Sequence, residues 1–520
     1  MSNRIASAAQ GMIDAKIEKL RKQIQVLHRD RNDLSPVNRL PCDIILMIFQ
    51  QLIPDLDFDI AVNFNSRHPG FPGNLLNVTH VSQRWRTLAL ESSGLWSRIV
   101  SPPFRFANEM IARSRDACLE VDVRGHAAKR FLPRVFGQLI RIRVLAIDLS
   151  FRNAREPGLE ELDRPAPLLE TLSLRHAVLP RRLFAGQCQK LKRVYLRQCA
   201  FHWSPEIYTS FHNLIALQVS RCDIRLSSGL PSLLVVLETM PLLRKLQLEH
   251  PFSGMLDNLG IAKFSRPVVM PSLIDLEFVD LERECVWFLE HTTFPKVQTC
   301  CFGIHDSYDS TTSIRPSDVC NTIRKSFQHL QGERPWVFID LDCDKNMSAH
   351  TGMPPEDTDG SSGDIKPQLQ LEVEYWSNFL PELHPILHPQ YVRAISLGHS
   401  ECLDEEVLGE FLASFRNIQE CTIYRDDVTA LLLTLAMPRR NEENGMKELL
   451  FPNLKVLSFK DLPNRGLPES LQNLLEMRFD DGRGQKLREL RIHRCRTLTP
   501  KIIRRFARFA DRIVSDVGQL

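Results

Sequence analysis

The chain has 520 residues, 43% of them hydrophobic and 25% charged, with a formal net charge of +3. That length exceeds one ordinary hydrophobic core, so several structural units or an elongated repeat array are expected. The small net charge argues against a broad nucleic-acid or membrane surface. The 13 cysteines include no C-x-x-C pair and read as reduced core thiols, and no apolar run reaches the length of a membrane span. These features predict an intracellular protein, cytoplasmic and/or nuclear, with no nucleic-acid or membrane partner.

Residues 1–33 form the first element. Ile13, Ile17, Leu20, Ile24 and Leu27 recur in steps of 4, 3, 4 and 3, the seam of an amphipathic helix. Two to three heptads are few for a stable coiled coil, so dimerisation is open but not compelled, and a single helix folded back on the next module is the favoured expectation.

Residues 34–100 form a short helical module. In SPVNRLPCDIILMIFQQL, Pro41 suits a first helical turn and Asp43 suits the positive helix end, while Ile44, Ile45, Ile48, Phe49 and Leu52 keep helical spacing. After a polar stretch from Pro54 to Asn74, LLNVTHVSQRWRTLALES predicts a second helix with Val78, Val81, Trp85 and Leu88 on one face, ended by Gly94. Leu40-Pro41, Asp43, Ile44-Ile45, Ile48-Phe49, Trp85-Arg86 and Leu95-Trp96 together resemble the F-box family. With the preceding helix, the segment is similar to F-box proteins abundant in mushroom-forming fungi. The resemblance implies docking to a Skp-type adaptor through Leu40, Pro41, Ile44, Ile48, Phe49 and Leu52, with Trp85 bracing that plug.

Beyond residue 100 an apolar-x-x-apolar-x-apolar unit recurs, the pattern of a short strand with alternating inward side chains. Before residue 303 its middle positions are Leu145, Leu172, Val194, Leu217, Leu246, Leu276 and Cys300; after 390 they are Ile395, Cys421, Leu457 and Leu490. Spacings from 22 to 36 residues fit one strand plus a return segment per repeat. Cys199, Cys222 and Cys495 follow the last apolar position by three, where leucine-rich repeats place Asn or Cys. The fold class expected is α/β: a short helical F-box module followed by a leucine-rich-repeat-like α/β solenoid. Its first part covers 101–303, an irregular connection 304–390, and its second part 391–520.

Within the connection, the polar text from Asp344 to Pro367 predicts a disordered loop between the strands WVFIDLDC and LQLEVEYW. The end, KIIRRFARFADRIVSDV, predicts a capping helix carrying Ile502, Phe506, Phe509, Ile513 and Val517 on one face.

Motifs for chemistry are missing. There is no phosphate-cradling or nucleophile-elbow motif. His384 and His388 are separated by prolines and lack the zincin glutamate, so they read as surface or loop histidines. Asp340, Asp342 and Asp344 mimic a calcium loop without its Gly and Glu, and read as acids on a solvent face. No catalytic residue, metal site or cofactor is expected.

The family resemblance thus implies the substrate-recognition adaptor of an SCF-type ubiquitin ligase, reaching a cullin through the Skp-type adaptor and holding an unknown protein substrate on its repeats. The alternative is a leucine-rich-repeat scaffold unconnected with ubiquitylation. Residues alternating with the buried triads are the candidate substrate contacts: Arg175, Arg193, Tyr195 and Arg197 in the early repeats, then Lys245, Glu249, Asp275 and Glu277.

Overall fold

The computed structural model describes residues 2–53, 73–100, 104–149, 159–201, 211–224, 231–251, 266–305, 314–331, 335–342, 346–352, 367–373, 376–398, 404–424, 432, 434–435, 439–440, 447–462, 467–479, 486–495 and 498–516. The chain divides into two compact units, Met1–Asn213 and Leu214–Leu520.

The first unit opens with α1 (Ser2–Asp33), followed by α2 (Cys42–Gln50), α3 (Gly73–Val78) and α4 (Gln83–Glu91). A parallel ladder follows: β1 (Arg98–Val100), β2 (Leu119–Arg124), β3 (Ile142–Asp148), β4 (Thr171–Arg175) and β5 (Arg193–Arg197). Leu145 pairs with Leu172, and Leu172 with Val194, so the sequence repeat and the strand register coincide. All three side chains are buried.

The second unit contains β6 (Ala216–Ser220), β7 (Lys245–Glu249), β8 (Asp275–Leu281) and β9 (Thr299–His305), again parallel and in repeat register from Leu217 to Cys300. Three further strands lie in the stretch expected to be irregular: β10 (Phe338–Asp342), β11 (Asn346–His350) and β12 (Leu369–Val373). Then come β13 (Ala394–Gly398), β14 (Glu420–Tyr424), β15 (Val456–Lys460), β16 (Leu487–His493) and β17 (Ala510–Ser515), all parallel. Strand β9 pairs with β12, β12 runs antiparallel to β11, β11 antiparallel to β10, and β10 pairs in parallel with β13. The chain order 10-11-12 is therefore reversed in space. An antiparallel meander carries the ladder across residues 304–390, and the expected boundary at 303/304 falls inside one continuous sheet.

Inward side chains make the core of this unit. The rings of Phe278 on β8 and Phe288 on the helix Glu282–Glu290 stack at 4.3 Å, and Phe327 on the helix Pro316–Gln331 meets Phe302 at 5.3 Å. The strand ends share a device. His176, Gln198, Arg221, His250, Asp461 and Arg494 directly follow strands and adopt φ near +50°, a turn that costs strain in non-glycine residues and lets the chain leave the sheet. Buried Cys199 and Cys495 sit just beyond two of these turns. Each thiol contacts a carbonyl of its own strand end and one of the preceding strand, Leu174 O (3.4 Å) and Phe459 O (3.8 Å) respectively.

Four local expectations change. The loop expected from Asp344 to Pro367 contains β11, whose Met347 and Ala349 are fully buried between β10 and β12; the remainder at 344–345 and 353–366 lies outside the described residues. The expected terminal helix stops after Pro500–Arg505 and a short turn, and β17 extends the sheet instead, because pairing with β16 satisfies its backbone. The expected second helix of the N-terminal module breaks between α3 and α4, where the Thr79 hydroxyl donates to Leu76 O (2.7 Å) and the Ser82 hydroxyl accepts from the Trp85 N–H (3.1 Å), capping α4. Finally, α1 does not fold back: from Gln10 to Asp33 its side chains are exposed save that of Asn32.

Candidate functional site

Helix α2 has two apolar faces with different fates. Ile45 and Phe49 are fully buried, and the Phe49 ring meets Trp85 of α4 edge-on at 5.1 Å. On the other side Ile44, Met47 and Ile48 are 38%, 59% and 43% exposed, with Pro41 exposed beside them. Leu40 and Leu52 are half-buried at the two ends of the helix. Polar contacts fix the segment leading into α2. The Trp85 indole N–H donates to the Asn38 side chain at 2.9 Å, and Asn38 donates to Asn32 O at 2.6 Å. Arg84 donates to the backbone carbonyls of Asn38 and Leu40. Sequence reading missed Asn38 and Arg84; their polarity gave no sign that they organise the entry to the helix. Closing the module, the buried Trp96 indole donates to Ala89 O at 2.7 Å and lies beneath the Arg113 guanidinium at 4.6 Å.

The second candidate surface is the sheet face opposite the buried triads. In the first unit Arg193 is exposed, Arg175 and Arg197 are half-buried, and Tyr195 is 5% exposed. Tyr195 is thus part of the packing rather than a protruding anchor. Arg175 lies 3.6 Å from the Asp148 carboxylate. The Nε of Arg197 is buried and meets no hydrogen-bond acceptor among the described residues.

In the second unit Lys245, Asp275 and Glu277 line a depression of about 230 Å³ with Thr299, Cys301 and Gln370. Its acids are already engaged. The Thr299 hydroxyl donates to Asp275 and the Gln247 amide to Glu277 (2.7 Å); Glu249, which does not line the depression, pairs with Arg221 at 2.5 Å. Burial pushes the Glu277 carboxyl above its usual range, the Gln247 hydrogen bond opposing this and the neighbouring Glu372 adding to it.

Further along the same face, Asp342 is buried and Asp340 accepts from the Tyr424 hydroxyl at 2.8 Å. These two acids therefore do not face solvent as expected; Asp344 lies outside the described residues. Burial pushes the Asp340 carboxyl up to about 6, against the Tyr424 hydrogen bond. His384 is half-buried with its ring stacked on Phe411 at 5.3 Å, and is a packing rather than a surface residue. Among the described residues no group of three or more His, Cys, Asp or Glu side chains could hold a metal ion.

Residues 37–101 match the F-box-like family. The matched segment begins just before Asn38, takes in α2 to α4 and closes just beyond β1, so the exposed face of α2 belongs to an F-box-like domain. This helical F-box region precedes the strand-rich, largely parallel sheet. No curated protein matches the chain in sequence. Among solved structures, the chain is similar at 13% identity to a TLR13–ssRNA13 complex (TM-score 0.29), covering 77% of this chain and 43% of that one. It is similar at 14% to the mouse RP105/MD-1 complex (TM-score 0.28), covering 72% and 53%. At 13% it is similar to an LRR protein of Leptospira interrogans (TM-score 0.24), covering 74% and 98%. Among the described residues, no helix is long and apolar enough to cross a membrane.

Proposed function

We propose that the chain is the substrate-recognition adaptor of an SCF-type ubiquitin ligase. The observation that carries this reading is the exposed apolar face of α2, Ile44, Met47 and Ile48, inside a segment that matches the F-box-like family. Three large apolar side chains on one helix face cost little in isolation, but they favour a partner that removes them from water. A Skp-type adaptor linked to a cullin is that partner. Trp85, Asn38 and Arg84 hold α2 from behind, so the face is presented in a fixed orientation.

The repeats hold a protein substrate in this reading. The chain contributes position rather than chemistry: substrate kept near activated ubiquitin turns transfer into an effectively intramolecular step. It needs no catalytic residue or cofactor of its own, and it works in the cytoplasm or nucleus. Arg193, Arg197 and Arg175 are the substrate contacts favoured in the first unit, with exposed Arg193 the most accessible and Arg175 and Arg197 half-buried beside it. Lys245 is the exposed member of the second group, Asp275 and Glu277 shape the depression beside it, and half-buried Glu249 completes the group.

Co-expression with a Skp-type adaptor tests the reading. A stable complex that brings a cullin with it is expected; failure to co-purify would reduce the chain to a repeat scaffold.

A further inference from the structure

Along α1, Ile13, Ile17, Leu20, Ile24 and Leu27 stand 41–66% exposed in one continuous seam. The helix is tied down at its C-terminal end, where Asn32 O accepts from the Asn38 side chain. An apolar strip of this length is unusual on a monomeric surface. Its period selects the partner. Ile17 and Ile24 occupy heptad position a, and Ile13, Leu20 and Leu27 occupy d, so the seam closes on another helix with the same 3.5-residue repeat. A second copy of this chain supplies one by necessity.

The flanking charges decide the orientation. A parallel pair would set Lys16, at g, against Arg21 of the second copy, at e, and would do so twice. An antiparallel pair sets g against g and e against e instead. With Asp30 opposing Lys16, Asp14 opposes His28, each contact made twice, against a single meeting of Arg21 with Arg21. We propose that α1 is a self-association helix that pairs antiparallel with α1 of a second copy. At 1.5 Å per residue, the two helix ends at Asp33 then lie about 22 residues apart, so such a pair holds its two F-box-like domains about 33 Å apart along the coil, at opposite ends. The assembly presents two substrate surfaces to one target, which raises avidity without any new contact.

Sedimentation of the full chain through the micromolar range tests the pairing. A dimer is expected, and Ile17→Glu with Ile24→Glu should render it monomeric with helix content and melting temperature of the repeats unchanged. A wild-type chain that stays monomeric throughout, or a variant that remains dimeric, overturns the proposal. Orientation is read from Leu27→Cys under oxidising conditions, compared with wild type, since Leu27 meets its own copy in a parallel pair and faces Ile17 in an antiparallel one. Antiparallel pairing keeps the two positions apart and gives no added cross-link, whereas a new cross-linked dimer overturns the antiparallel arrangement.

Discussion

Phe49 and Ile48 are neighbours in sequence with opposite duties. Truncating the buried Phe49 to Ala should cost about 3–5 kcal/mol of stability, since it empties the space against Trp85. Truncating Ile44 and Ile48 together should leave the melting temperature nearly unchanged and weaken adaptor binding on the order of 100-fold or more, at about 2 kcal/mol per desolvated anchor. Calorimetric melting beside a binding titration separates the two effects; equal losses in both would show that α2 has no docking face. Asp340 offers a second test. The fold raises its carboxyl to about 6, above an unfolded value of about 3.9. The stabilisation from its protonated form is therefore complete below the unfolded value and lost as pH rises through about 6. Asp340→Asn keeps an acceptor for the Tyr424 hydroxyl. It should gain on the order of 2 kcal/mol over wild type at about pH 7.5, the gain shrinking to nothing near about pH 4. His350 works the other way. Burial pulls it down to about 4, so its stabilisation is present above the unfolded value of about 6.5 and is lost as pH falls through about 4. The difference between variant and wild type across pH isolates the Asp340 contribution, and a constant difference would exclude it.

At the scale of elements, β11 is the strand on which the second ladder depends. It runs antiparallel to both neighbours and has no partner row in the repeat pattern. Met347→Asp would bury an unpaired charge between β10 and β12, with a cost above about 4 kcal/mol. A fall in melting temperature of many degrees is expected by circular dichroism; an unchanged melt would mean that β11 is dispensable. Gly398 ends β13 because Tyr424 of β14 lies across it: a Cβ there would come within 2.7 Å of the Tyr424 ring. Gly398→Ala should therefore push Tyr424 away from Asp340 and cost about 1–3 kcal/mol. An unchanged melt would show that the ring gives way freely.

Across the whole molecule, an adaptor must keep its two binding activities separable. Arg193→Glu with Arg197→Glu reverses charge on the sheet face of the first unit and leaves α2 untouched. Substrate capture should fall while adaptor binding and melting stay as in wild type. Affinity purification with quantitative proteomics reads the first, and adaptor titration the second. Loss of both would indicate misfolding, and loss of neither would remove these arginines from the substrate surface. Each repeat strand of the second unit stabilises its neighbours through one shared row of buried side chains, Leu217 to Cys300 and Ile395 to Leu490. Damage to the meander that joins the two rows should for that reason split one unfolding transition into two.

The amino-acid sequence by itself determined the features that depend on local period. Helical spacing marked α1, α2 and α4, and the apolar-x-x-apolar-x-apolar unit located the repeat strands, because inward and outward positions alternate within a few residues. The match of Leu40-Pro41, Ile48-Phe49 and Trp85-Arg86 to the F-box pattern was legible for the same reason. Tertiary structure decided everything that depends on a distant partner. The polar text around β11 carries little strand signal, and that segment pairs because β10 and β12 offer open edges on both sides. The amphipathic C-terminal residues became β17 because the edge of β16 was unpaired. Tyr195 is buried although its strand position is on the outer face, Ile48 is exposed although its neighbour Phe49 is core, and α1 leaves its seam in water although a period of 3.5 asks for a partner. In each case the sequence states what a side chain prefers, and only the packing decides whether a neighbour is there to satisfy it.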